Sequence, residues 1–183
     1  MRCFIACFVE PASALALRGA CPEIPAVRWI ATDNYHVTLH FLGEVSEHEV
    51  PALMDLVETL SPTPGQHHAC QAEELTGYPN SARARAVVAR LRADATLTNW
   101  STQLRERCVV GNDGGRNFEA HITVARSKRG VQVPVCKQLA GLRLKLTPPA
   151  LYRSVTLPTG ARYEQLARNG LAPMPSRKRT VDR

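Results

Sequence analysis

Apolar residues recur along this chain in two periods. Cys3 to Val9 is an unbroken apolar run, the pattern of a buried strand. Pro11 then suits a helix N1 position, with good helix formers from Ala12 to Ala20 and a stop at Pro22. Val27 to Ile30 is a short strand, followed by turn chemistry at Thr32-Asp33-Asn34. Tyr35 to Leu42 alternates as a strand and stops at Gly43. Ser46 to Glu49 reads as an N-cap with acids in the first turn. Val50, Leu53, Met54, Val57 and Leu60 follow at helical spacing. Ser61 to Gly65 is rich in Pro and marks the expected junction between two halves.

The second half begins with a strand over His67 to Leu75 and a turn around Gly77 to Asn80. Ala84 to Leu91 is a strand, and Asp94 to Val109 a helix with Leu97, Trp100, Leu104 and Cys108 on one side. A Gly-rich loop at 111–115 leads to a strand at Phe118 to Arg126 and a basic turn at Ser127 to Gly130. Leu142, Leu144 and Leu146 alternate with Arg143 and Lys145 as a half-exposed strand. Strands at Leu151 to Leu157 and Tyr163 to Leu166 close the pattern. From Pro173 onward Pro, Ser and Arg dominate, as in a disordered tail. Periodicity alone therefore gives a mixed α and β chain of the α+β class.

Two strands carry the candidate chemistry. In the first, His36 and Thr38 share one face while Val37 and Leu39 take the other. In the second, His121 and Thr123 share a face opposite Ile122 and Val124. One such His-x-Thr-x is a weak signal, and its bland reading is a histidine satisfying a strand end. Two copies in apolar strands are a stronger one. Two imidazoles facing one another can give and take protons near pH 7. Two hydroxyls beside them can hydrogen-bond phosphate oxygens. The combination suits in-line attack on a phosphodiester without a metal.

At these motifs the chain resembles the two-histidine (2H) phosphoesterases. Within them it is most similar to bacterial and archaeal RNA 2′,3′-cyclic phosphodiesterases, historically called 2′-5′ RNA ligases. The resemblance is carried by Asn34 to Val45, by Phe118 to Arg126 and by Leu157 to Tyr163, with Arg2 to Val9 as a matching first strand. It implies a bilobal, pseudo-symmetric fold over residues 1–172, with antiparallel strands lining a central cleft and helices outside; 173–183 is the basic tail. It implies His36 as proton donor, His121 as proton acceptor, and Thr38 and Thr123 as phosphate ligands.

Arg126 and Phe41, each five residues after a motif histidine, match positions that bind phosphate and stack a base in similar proteins. Strict alternation turns both away from the histidine face and sends Phe41 into the core beside Val37 and Leu39. A bulge near Ala125 would return Arg126 to the cleft. His40 shares the face of His36 by the same alternation. Similar proteins commonly carry Pro before the second histidine, where this chain has Ala120.

The expected reaction is hydrolysis of RNA 2′,3′-cyclic phosphate ends to 2′-phosphomonoesters. Its reverse, formation of 2′-5′ bonds, uses the same histidines, and a non-catalytic RNA-binding module would use the same cleft. No cofactor and no metal are expected, since no His-x-x-x-His or matched acid appears.

Composition changes little. The net charge is +7, of which residues 176–183 supply +3, so charge is weak support for an RNA partner. Six cysteines at positions 3, 7, 21, 70, 108 and 136 show no Cys-x-x-Cys pair and read as reduced thiols of a cytoplasmic protein. The apolar N-terminal run is short and closes at Glu10-Pro11, which favours a strand over a signal peptide. No run approaches the length of a membrane span. The chain is expected to act as a monomer on RNA, without a membrane.

Overall fold

Strand β1 (Arg2–Phe8) is apolar on both faces because it is covered on both. Cys3, Ile5 and Cys7 enter the main core, while Phe4, Ala6 and Phe8 join a separate cluster with Tyr152 and Tyr163 on the opposite face. The computed structural model describes residues 1–60, 66–108, 117–157 and 160–166. The expected junction at 61–65, the glycine loop at 111–115 and the tail from 173 lie outside the described residues.

Helix α1 (Pro11–Ala20) starts on its proline and buries Ala14 and Leu17. The short β2 (Arg28–Trp29) precedes β3 (His36–Glu44), the first motif strand. Ser46 forms a capping box with Glu49, but around a 3₁₀ turn at Glu47–Glu49 that hands over to α2 (Val50–Glu58). Strands β4 (His68–Tyr78) and β5 (Ala84–Leu91) lead to α3 (Ala95–Arg107). The Asp94 side chain caps α3 by accepting from the Leu97 N–H at 3.0 Å. The second motif strand, β6 (His121–Val131), is followed by β7 (Arg143–Leu146), β8 (Ala150–Leu157) and β9 (Gly160–Gln165).

The expected basic turn at 127–130 is instead the end of β6, which runs on to pair Val131 with Ala84. Gly130 makes this possible at φ +84°, where a Cβ would lie 2.8 Å from Arg83 Cγ.

The strands form a nine-stranded sheet ordered β7-β4-β5-β6-β3-β1-β8-β9, with β2 also on β6, and every pair is antiparallel. It divides into two halves of four strands, joined in the middle by β3 and β6. The α+β, bilobal expectation is borne out, with helices on one face. The lobes are not consecutive halves of the chain, because the late β8–β9 hairpin pairs with β1.

Both motif strands contain the same irregularity. Ile5 pairs with His40 and Ala6 with Thr38, so Leu39 is an extra residue in β3. Val87 pairs with Ala125 and Val88 with Thr123, so Val124 is an extra residue in β6. Leu39 and His40 are consequently both buried, as are Val124 and Ala125. Helix α3 supports the first bulge: the buried Ser101 hydroxyl donates to the Leu39 carbonyl at 2.9 Å. The Trp100 indole N–H likewise donates to the Leu60 carbonyl at 2.7 Å and ties α3 to the chain beyond α2.

Ser101→Ala leaves the Leu39 carbonyl buried without its donor. It should lower unfolding free energy by about 1–3 kcal/mol in a urea titration; a loss within experimental error would mean that water or a neighbour replaces the hydroxyl.

Candidate active site

The two motif strands meet at one backbone pair, Val37 with Ile122, the residues between His and Thr in each motif. Both side chains are fully buried. Their flanking residues therefore emerge together on the other face: His36 and Thr38 from β3, His121 and Thr123 from β6. Continued by one residue, this antiparallel register sets Thr38 beside His121 and His36 beside Thr123. Beyond that point β2 takes the edge of β6, pairing Arg28 with Arg126 and Trp29 with Ala125, so β3 and β6 separate.

The bulges decide the next positions. Each inserts one residue between the motif and the fifth position after its histidine, which reverses the alternation. Phe41 pairs with Phe4, a residue of the histidine face, and is 57% exposed. Alternation had sent Phe41 to the core; the extra Leu39 is the reason it does not go there. His40, expected on the histidine face, is instead 4% exposed and pairs with Ile5 of the main core. Arg126 is exposed, as a bulge near Ala125 would require. The structure thus brings His36, Thr38, Phe41, His121, Thr123 and Arg126 to one face.

Each histidine is held in the same way. His36 Nδ1 donates to the Asn34 carbonyl at 2.7 Å, and His121 Nδ1 donates to the Glu119 carbonyl at 2.8 Å. A carbonyl only accepts, so each Nδ1 carries the proton and each Nε2 is the nitrogen left for chemistry. The residues supplying these carbonyls are themselves anchored. Asn34 Nδ2 donates to the Ala161 carbonyl on β9 at 3.2 Å. The Tyr78 hydroxyl donates to Glu119 Oε2 at 2.9 Å, and the Tyr78 ring stands edge-on to His121 at 5.4 Å.

The surroundings of the two imidazoles differ. His36 sits in an aromatic cage of Phe8, stacked at 5.1 Å, Tyr163, edge-on at 5.0 Å, and Phe4 at 5.2 Å. Burial in this cage pushes the His36 pKa down to about 4. The hydrogen bond to Asn34 works against the fall, and the charges of His121 and Arg126 add to it. His36 is therefore neutral at pH 7 in the protein alone.

Sequence reading missed the cage and the two anchors. The doubly apolar pattern of β1 was a usable sign that Phe4 and Phe8 face something. Asn34 and Glu119 gave no sign, because any residue supplies a carbonyl. Among the described residues there is no group of three or more His, Cys, Asp or Glu able to hold a metal ion. All six cysteines are free thiols. No described helix is long and apolar enough to cross a membrane. A cavity of about 290 Å³ lined by Cys70, Gln71, Arg92, Asp94 and Arg143 contains none of the motif residues.

Comparison with known proteins bears on the fold and on the kind of activity. A family model described as LigT-like phosphoesterase matches residues 10–88. An RNA 2′,3′-cyclic phosphodiesterase of Archaeoglobus fulgidus is 29% identical over 133 residues, covering 70% of this chain and 74% of its own. The crystal structure of TT0787 from Thermus thermophilus superposes with a TM-score of 0.76 at 27% identity, over 91% of this chain and 96% of that one. E. coli LigT crystallised with ATP gives 0.69 at 25% identity, over 91% and 94%. The chain is similar to LigT-like phosphoesterases in sequence over part of its length and in fold over most of it, and these findings support a phosphoesterase acting on phosphodiesters.

The depressed His36 pKa has a consequence for stability. The unfolded chain protonates His36 near pH 6.5, whereas the folded chain resists until about pH 4. Stability is lost as pH falls through that window, by at most about 3 kcal/mol for this group. His36→Gln should remove that part of the acid loss. Urea unfolding at pH 7 and pH 4.5 checks this, and equal losses in both proteins would show that His36 titrates normally.

Proposed function

We propose that this chain hydrolyses RNA ends bearing a 2′,3′-cyclic phosphate, without a metal, leaving a 2′-phosphomonoester. The observation that carries the reading is the matched pair of imidazoles, each with Nδ1 tied to a backbone carbonyl and Nε2 left for chemistry, on one face with two threonines. A site that only bound phosphate would not need two titratable rings held in one tautomer. The name of the Archaeoglobus fulgidus relative supports the substrate class.

In this reading His121 Nε2 takes a proton from water as the oxygen attacks phosphorus. His36 Nε2 gives a proton to the ribose oxygen as the phosphorus–oxygen bond breaks on the opposite side. Thr38, Thr123 and Arg126 hold the phosphate oxygens on which charge accumulates. Phe41, exposed on the same face, offers its ring to a base. The donor must be protonated, and His36 resists this at pH 7. A phosphate anion beside the ring favours the imidazolium and raises its pKa, so the proton arrives with the substrate.

One observation favours a second reading. A His36 held neutral near pH 7 suits the acceptor role, with His121 as donor. The pH profile is bell-shaped either way, because its two apparent pKa values belong to the pair.

The primary test is incubation of the protein with a short RNA ending in a 2′,3′-cyclic phosphate in the presence of EDTA. The expected product is a 2′-phosphate with a free 3′-hydroxyl, identified against authentic standards. Activity abolished by chelation and restored by a divalent ion would overturn the metal-free mechanism. A predominantly 3′-phosphate product would reverse the substrate's orientation in the cleft.

His36→Ala and His121→Ala should each lower kcat by about 10²–10⁴-fold with circular dichroism intact. An unchanged kcat in either would sink the paired mechanism. A nucleoside p-nitrophenyl phosphate assigns the roles, because p-nitrophenolate leaves without a proton. The donor variant should recover activity on it and the acceptor variant should not. Recovery in His121→Ala alone would establish the reversed assignment.

A further inference from the structure

Arg28 and Arg126 are direct cross-strand partners on β2 and β6, so both side chains lie on one face of the sheet, about one strand spacing of 4.8 Å apart. Like charges placed directly opposite are unfavourable unless something neutralises them. Nearby arginines are neutralised: Arg153 and Arg162 share Glu164, Arg90 bridges Glu73 and Glu74, and Arg18 pairs with Glu23. Among the described residues no carboxylate is paired with either Arg28 or Arg126.

The position of this pair is specific. The Arg126 charge is felt at His36, which places it toward that end of the cleft. The Arg28 guanidinium reaches across to β9, where a Cβ on Gly160 would stand 3.0 Å from Nη1. Gly160 adopts φ +130°, so no side chain separates that guanidinium from the strand. The next residue, Ala161, accepts from Asn34, and Tyr163 contacts His36. On the opposite face Trp29 is packed against the core, with the Arg18 guanidinium 3.7 Å from its ring centroid. The backbone that presents Arg28 is therefore fixed while its head is left to a ligand.

In the proposed reaction the leaving oxygen, and with it the ribose, lies on the His36 side. That ribose carries the rest of the RNA strand through its 5′ carbon. We infer that Arg28 is a further substrate-binding residue, which takes the internucleotide phosphate adjoining the cyclic end while its neighbour Arg126 stays on the cyclic phosphate. The site then prefers an oligonucleotide to a mononucleoside cyclic phosphate, which lacks that group. This inference rests on the proposed function.

The test compares kcat/KM for a trinucleotide and for a mononucleoside, each ending in a 2′,3′-cyclic phosphate. Arg28→Gln should lower kcat/KM on the trinucleotide by about 10–100-fold. It should leave the mononucleoside within about twofold. Arg28→Lys should fall between, since it keeps the charge and loses the fork. Equal losses on both substrates, or no loss on either, would overturn the inference. If the unaltered protein cleaves neither substrate, the proposed reaction fails, and binding still decides the role of Arg28. Fluorescence anisotropy of a labelled trinucleotide 3′-phosphate over a salt series should then show weaker binding by Arg28→Gln. Its slope of log K against log salt should be shallower by about 0.7. Unchanged affinity and slope would overturn it.

Discussion

The arrangement of this site depends on one repeated irregularity, the extra residue that directly follows the His-x-Thr of each motif strand. A regular strand would present His36, Thr38 and His40 together and bury Phe41. The bulge at Leu39 instead buries His40 against Ile5 and returns Phe41 to the histidine face. The bulge at Val124 does the same for Ala125 and Arg126. Two strands with the same parity reversal at the same offset give a face with two imidazoles, two hydroxyls, an aromatic ring and a guanidinium. The unpaired polar groups that a bulge creates have to be satisfied, and at Leu39 the Ser101 hydroxyl does so. The helix following β5 thereby helps to set the first motif strand, and neither lobe is built from its own stretch of chain alone.

The motif histidines were legible in sequence because a strand's period of two puts His and Thr on one face whatever the fold around them. The strands, the helices and the α+β class were legible for the same reason: hydrophobic spacing reports local period and exposure. Alternation failed where it met the bulges, at His40 and Phe41, because a bulge is fixed by pairing across strands. It failed again at 127–130, where Ser-Lys-Arg-Gly has the composition of a turn but lies against Arg83 at the end of β6. The order of the lobes was also hidden. Nothing in residues 150–165 announces that they return to pair with β1.

The two halves are matched in backbone and unmatched in surroundings. Both histidines spend Nδ1 on the carbonyl two residues earlier, and both of those residues are tied to another strand by their side chains. Yet His36 is enclosed by Phe4, Phe8 and Tyr163, whereas Tyr78 is the aromatic partner recorded for His121 among the described residues. The source of the difference is topological. Strands β1, β8 and β9 close over the His36 end and bring aromatic side chains with them. A pair of sites that sequence makes equivalent becomes inequivalent through the strands that flank them.

That inequivalence bears on how the proposed chemistry would run. A cage of apolar rings disfavours the imidazolium because it removes water without supplying a counter-charge, and the nearby Arg126 guanidinium disfavours it further. An anionic phosphate reverses both effects at once: it supplies the counter-charge to His36 and screens the guanidinium. With both effects reversed, the imidazolium forms at neutral pH and can donate to a ribose oxygen as the phosphorus–oxygen bond breaks. In the proposed reaction the cage and the two arginines, which have no carboxylate partner among the described residues, would therefore work in the same direction: they would leave the site short of negative charge where a phosphate would bind and make its proton chemistry conditional on that phosphate.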